Sequence, residues 1–129
     1  MTQLPRVITD DVLSDNLIEL LAGKIERLPW ATLDGGVDET VDGILTFGHM
    51  LVTAGHMAKF PNLKVVSNYG VGVDHIDVEA ARNLNIPVGN TPHVLNGTTA
   101  DQAMTLLLAA GRRLREGDKY ARSAEFTYF

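Results

Sequence analysis

Along the chain, short β-branched and aliphatic runs alternate with stretches whose apolar positions recur at helical spacing. That alternation is the pattern of a parallel sheet with helices on its faces. Arg6-Val-Ile-Thr9 reads as a first strand. Asp10 or Asp11 is placed to cap a helix in which Leu13, Leu17, Leu20 and Leu21 share one face, with Gly23 just past its end. Lys24-Ile-Glu-Arg-Leu28 alternates like a second strand and stops at Pro29. Between Trp30 and Thr40, Gly35-Gly36 and the acidic residues predict a loop with at most one turn of helix. Gly43-Ile-Leu-Thr-Phe47 reads as a buried third strand, and Thr53 to Phe60 as a short helix closed by Pro61-Asn62. Leu63-Lys-Val-Val-Ser67, a fourth strand, runs into Asn68-Tyr-Gly-Val-Gly-Val-Asp74. Asp77 then caps a helix to about Asn85, and Ile86-Pro-Val-Gly89 is a short fifth strand. The connectivity predicts an α/β fold, a flavodoxin-like five-stranded parallel sheet, whose ligands sit beyond the carboxyl ends of the strands.

After Asn90-Thr-Pro92 the pattern changes. Thr98-Thr-Ala-Asp101 has the form of a capping box, with Asp where the longer Glu or Gln usually reaches back. One long helix is predicted from there to about Tyr120. Ala103, Leu107, Ala110 and Leu114 lie along one stripe, while Met104, Leu106, Leu108 and Ala109 make other faces apolar too. A helix apolar almost all round is expected to be buried. A small five-stranded domain has little interior left for it, so its cover is expected from outside this chain. The organisation read from these patterns is a sheet domain over 1–96 and a helix-led segment over 97–129.

Composition narrows the partners. The 129 residues suit one globular domain, and 11 basic against 16 acidic residues give a net charge of −5. Nucleic acid and anionic membrane both demand a basic footprint, so neither is the expected partner. With no cysteine there is neither a disulfide framework nor a thiolate metal site. Met1 to Ile8 is too short and polar for a signal peptide, and the apolar run from Ala103 to Gly111 is far short of a membrane span. A cytoplasmic domain is the expectation. His49 and His56 straddle a strand-to-helix connection without the spacing of a ligand pair, which places them at a surface or helix end and predicts no metal site.

Gly70-Val-Gly72 invites comparison with a dinucleotide fingerprint, but that motif needs a third glycine three positions on, at a helix start. Position 75 is His, and the next helix begins only near Asp77. What remains is a tight glycine turn at a strand end. On spacing alone an ordinary connecting turn is the commoner reading. The alternative is a turn whose successive N–H groups face an anion, with a positive φ at Gly72. Tyr69 can stack on a ligand or simply pack at the strand end.

Three stretches decide between these readings. Leu63-Lys-Val-Val-Ser-Asn-Tyr-Gly-Val-Gly-Val-Asp-His-Ile-Asp77, Gly89-Asn-Thr-Pro-His-Val-Leu95 and the run from Thr98 to Leu114 resemble, in order and spacing, the signatures of the D-2-hydroxyacid dehydrogenases. The nearest branch is that of glyoxylate/hydroxypyruvate reductases. The resemblance is dense from Val41 to about Tyr120 and thin before that. It implies an NAD- or NADP-dependent oxidoreductase that reduces small 2-keto acids to D-2-hydroxy acids, dimeric when full-length. It implies that the chain is the substrate-binding domain (1–96) with an interdomain helix and the start of a nucleotide-binding domain (97–129). By the same resemblance, the substrate carboxylate is held by the N–H groups of Val71 and Gly72, Asn68 and Tyr69 border the pocket, and Val71 and Thr99 approach the cofactor. Asn90-Thr-Pro92 matches the hinge.

The chain departs from the family pattern at His93, at Asn96-Gly97, and at Asp101 where Glu is commoner. The family's catalytic Arg and His–Glu pair lie downstream of Phe129, as does its Gly-x-Gly-x-x-Gly. No catalytic residue is therefore assigned here, and these residues alone are expected to be inactive. A second class, a receiver-like regulatory module, is suggested by Asp10-Asp11 at the first strand's end. It would also need an Asp after strand three and a Lys after strand five, where this chain has Phe47-Gly48 and Gly89-Asn90.

Overall fold

The structure, a computed structural model, describes residues 3–48 and 50–127. In chain order they form β1 (Arg6–Thr9), α1 (Asp15–Leu21), β2 (Glu26–Leu28), a 3₁₀ turn (Trp30–Asp34), β3 (Gly43–Thr46), α2 (Ala54–Ala58), β4 (Val65–Asn68), α3 (Val78–Asn83), β5 (Val88–Gly89), α4 (Asn96–Gly111) and α5 (Leu114–Ala121). The strands pair in parallel in the order β2-β1-β3-β4-β5, the flavodoxin-like order expected from the sequence. The chain divides into one unit ending at Pro92 and a second beginning at His93.

In the first unit, the middle of each strand is apolar because a parallel sheet is covered on both faces. Leu28, Ile8, Ile44, Val66 and Val88 stand side by side in register across the sheet. Around the buried Ile8, Ile44 and Val66 pack Val52, Met57, Phe60, Ile76, Ala81 and Ile86. Trp30 and Leu33 join this core. They lie three residues apart, and side chains at that spacing eclipse on a 3₁₀ turn, so one short turn buries two large groups. Toward the carboxyl ends, the strands become polar: Thr9, Thr46 and Asn68 are all buried there.

Local chemistry moves some element boundaries. α1 begins at Asp15 with Ser14 before it, later than a cap at Asp10 or Asp11 predicts. Asp10 is buried, and its carboxylate accepts the N–H groups of Val12 at 3.2 Å and Phe47 at 3.1 Å, so it joins two strand ends instead of capping a helix. Leu17 and Leu21 face inward in part, but Leu20 is 63% exposed and leaves the predicted face. Gly23 follows the helix with φ +72°, as its position implies. Thr53 and His56 cap α2 reciprocally: His56 N–H donates to Thr53 Oγ1 at 3.2 Å and Thr53 N–H donates to His56 Nδ1 at 3.3 Å. His56 thus has the helix-end role, while His49 lies outside the described residues. Asp77 accepts the Ala80 N–H at 2.9 Å and caps α3 as predicted.

The second unit corrects the sequence reading in two respects. The helix starts at Asn96, with Leu95 preceding it and no side-chain cap, so Thr98 and Asp101 lie inside it. It does not continue to Tyr120, because Arg113 takes a left-handed conformation (φ 50°) between α4 and α5, just after the weak helix former Gly111. Ion pairs Arg113–Glu116 and Arg122–Asp118 then support α5. Met104, Leu106, Leu107 and Leu108 are 55–64% exposed, in keeping with the expectation that so small a domain has no interior left to cover them. The polar sequence of α5, Leu-Arg-Glu-Gly-Asp-Lys-Tyr-Ala, has no apolar face broad enough to cover them.

Candidate functional site

Beyond β3 and β4 the sheet opens on a depression of about 340 Å³, lined by Phe47, Gly48, residues 68–72, Asp74 and His75. Four residues singled out from the sequence, Asn68, Tyr69, Val71 and Gly72, meet there. The crevice between β1 and β3, where the strand order reverses, is instead occupied by the Asp10 carboxylate. The opening is displaced by one strand.

β4 delivers Asn68 to the base of the depression, where its side chain is 4% exposed. Asn68 Nδ2 donates to the Gly72 carbonyl at 2.5 Å, folding the intervening residues into a tight loop. Asn90 Nδ2 donates to the Val71 carbonyl at 2.7 Å, and Thr91 N–H to the Gly70 carbonyl at 2.9 Å. The carbonyls of the turn are therefore occupied. The N–H groups of Val71 and Gly72 have no protein acceptor among the described residues, although Gly72 is exposed and Val71 half-exposed. Unengaged amide donors beside an open depression suit an anion. Among the described residues, the buried Asn68 Oδ1 and Thr46 Oγ1 also have no hydrogen-bond partner, an uncommon state for buried polar atoms.

The glycines act through space rather than through unusual dihedrals. Neither Gly70 nor Gly72 has a positive φ, which corrects the expectation for Gly72. A Cβ at Gly70 would lie 3.0 Å from Asn68 Nδ2, the atom that holds the turn. At Gly72 a Cβ would meet Asp74 Oδ2 at 3.4 Å, an ordinary contact. On the opposite wall Gly48 takes φ +109°, a conformation that a side chain would strain. Phe47 and Tyr69 pack together at the rim, ring centroids 5.6 Å apart. Packing accounts for Tyr69, while its position leaves one edge on the depression.

Phe47, Gly48, Asp74 and His75 were not singled out for this site by sequence reasoning. The position of Phe47-Gly48 at a strand's carboxyl end was the available signal. Thr99 lies in the second unit, on α4, in an apolar groove with Leu95, Thr98, Gln102, Ala103 and Leu106. The acidic cluster of a receiver is not assembled among the described residues: the Asp10 carboxylate is bound to backbone, and β3 and β5 run out into Phe47-Gly48 and Gly89-Asn90. Nor do the described residues hold a group of three or more His, Cys, Asp or Glu able to bind a metal ion, or a helix long and apolar enough to cross a membrane.

Comparison with known proteins gives the family. A sequence model of the D-isomer specific 2-hydroxyacid dehydrogenase catalytic domain matches residues 8–125. The glyoxylate reductase of Thermococcus kodakarensis is 38% identical over 130 residues, covering 95% of this chain and 39% of the relative. That of Thermococcus onnurineus is 45% identical over 86 residues, covering 67% of this chain and 26% of the relative. The chain thus spans only 26–39% of the length of these curated relatives. Among solved structures, the NADPH-dependent glyoxylate/hydroxypyruvate reductase of Sinorhizobium meliloti, in complex with NADP and malonate, superposes with a TM-score of 0.71. It is 31% identical, with 95% of this chain and 41% of that one covered.

Proposed function

The chain belongs to the D-isomer specific 2-hydroxyacid dehydrogenase family, and from that premise we propose that it is the substrate-binding part of a glyoxylate/hydroxypyruvate reductase. The substrate is a small 2-keto acid, and the product its D-2-hydroxy acid. The observation that carries this reading is the pair of unengaged N–H groups at Val71 and Gly72 beside an open depression. A 2-keto acid presents a planar carboxylate with two oxygens, which accepts hydrogen bonds from two successive amides. Charge-assisted bonds of this type are stronger than neutral ones.

The residues present fit the rest of such a ligand. Asn68 forms the base, and Tyr69 with Phe47 forms an apolar rim. A nicotinamide cofactor, NADH or NADPH, supplies the hydride when bound. In the first unit the half-exposed Val71 is the residue proposed to approach it, and in the second unit, taken by itself, Thr99 on α4 is. Holding the carboxylate fixes the keto carbon relative to the hydride donor, which turns an encounter into a positioned step. The whole enzyme would act as a homodimer.

Titration of the ¹⁵N-labelled chain with oxalate, a planar dicarboxylate that cannot be reduced, tests the proposal. Saturable shifts of the Val71 and Gly72 amide signals are expected, with the signals of Arg6 and Lys64 at the opposite strand ends unmoved. Shifts confined to other residues, or no saturable shift at millimolar oxalate, would overturn it.

A further inference from the structure

A peptide group is planar, so the carbonyl of one residue and the N–H of the next share a plane and point in opposite directions. The Gly70 carbonyl therefore sets the direction of the Val71 N–H, and the Val71 carbonyl that of the Gly72 N–H. These are the two carbonyls held from outside the turn, by Thr91 N–H at 2.9 Å and Asn90 Nδ2 at 2.7 Å. Glycine on either side of Val71 leaves both peptide planes easy to rotate, because a residue without Cβ resists such a rotation least. Without an anchor, the turn would sample orientations in which a carbonyl oxygen faces the depression and repels an anion.

We propose that Asn90 is a positioning residue for the anion site: by holding the Val71 carbonyl it aims the Gly72 N–H at the substrate carboxylate. The identity of the anion rests on the function proposed above, whereas the aiming does not. A hydrogen bond on the carbonyl also polarises the peptide and makes its N–H a better donor. Asn68 anchors the next plane, through the Gly72 carbonyl, from the strand side. The clamp is thus braced from two directions: from β4, and from the segment leaving β5. Asn90 is exposed, so its side chain is not needed for the core, and its amide has a local role that burial does not explain.

The test compares the whole chain with Asn90→Ala and with Asn62→Ala. Asn62 is another exposed asparagine, whose amide bonds the Glu39 carbonyl at 2.8 Å elsewhere in the first unit. Asn90→Asp is avoided because its charge would repel an anion by itself. In the absence of ligand, Asn90→Ala is expected to broaden or split the Gly72 amide signal on the timescale of peptide rotation and to shift the Val71 carbonyl carbon. The Asn62 variant and the rest of the spectrum should keep their dispersion. With oxalate, the dissociation constant should rise about five- to tenfold in Asn90→Ala, as expected for one lost hydrogen bond, and stay unchanged in Asn62→Ala. If the Gly72 signal stays sharp and unshifted in Asn90→Ala, the inference is wrong, whatever oxalate does. If that signal broadens but oxalate binds wild type and Asn90→Ala equally, the turn moves without mattering to the anion and the inference is again overturned. If wild type fails to bind oxalate, the functional proposal falls, and the ligand-free spectra alone decide whether Asn90 aims the peptide.

Discussion

The two ends of the sheet carry depressions of nearly the same size, about 360 Å³ at the amino ends and about 340 Å³ at the carboxyl ends. Their polar groups are in opposite conditions. At the amino ends the charges answer one another: Lys64 pairs with Asp42 at 2.7 Å, Arg6 with Glu26 at 3.3 Å, and the Arg6 N–H donates to Asp42 Oδ2 at 2.9 Å. At the carboxyl ends, amide donors and buried oxygens are left without protein partners among the described residues. Volume therefore does not distinguish the two ends. What distinguishes them is hydrogen-bonding capacity left unspent at the carboxyl ends, and such groups gain most from a ligand.

Three perturbations would break or sharpen this contrast. The largest effect is expected from Asp10→Ala, which leaves the Val12 and Phe47 N–H groups without their acceptor beneath the pocket wall. Chemical denaturation should show a loss of about 1–3 kcal/mol. Loss of Phe47 order should accompany it, seen as weaker contacts between the Phe47 and Tyr69 rings. An unchanged denaturation midpoint would show that this end of the sheet does not depend on the carboxylate.

Intermediate effects are expected at the glycine turn. Gly70→Ala places a methyl group 3.0 Å from Asn68 Nδ2, so that amide must shift by a few tenths of an ångström against its bond to the Gly72 carbonyl, whereas Gly72→Ala meets only an ordinary contact. Oxalate affinity should fall about tenfold in the first variant and by less than about threefold in the second, the first corresponding to loss of roughly one hydrogen bond. Equal losses would mean that the close approach at Gly70 is unimportant.

The smallest effect belongs to the amino ends. Hydrogen bonding from Lys64 first, then from the Arg6 N–H, holds the Asp42 carboxyl below its ordinary value, and Thr40 does the same for Asp38. Both groups are lowered in the folded state. Their contribution is therefore complete above the unfolded carboxylate value of about 3.9 and is lost as pH falls through the lower folded values. Asp42→Asn should leave oxalate binding intact and make the thermal midpoint less sensitive to pH below about 4. An identical acid dependence in wild type and variant would remove Asp42 from that account. These exposed pairs contribute little at neutral pH.

Much of this was legible in the residues. The strands were read within one or two residues of their observed positions, because β-branched runs ending in Gly, Pro or Asp constrain the backbone locally. The family signature from Leu63 to Asp77 points to Asn68, Tyr69, Val71 and Gly72, and the fold brings these four to the lining of one depression. Less legible were features that depend on a neighbour distant in sequence. Asp10 looked like a helix cap because its partner, the Phe47 N–H, lies 37 residues away. A positive φ is the sequence expectation at Gly72, whereas neither turn glycine has one and the tighter constraint is one of space, set at Gly70 by the Asn68 side chain. The long helix was read as continuous because Gly111 and Arg112 permit helix, and only the fold reveals the left-handed Arg113.

By itself, then, the sequence determined the alternation of strands and helices, the parallel sheet they build and the family to which they belong. All of these follow from short-range periodicity and from motifs within single segments. Tertiary structure decided which polar groups satisfy one another and which remain for a ligand. Hydrogen bonds between segments, such as Asn90 to Val71, depend on directions in space that linear spacing does not encode.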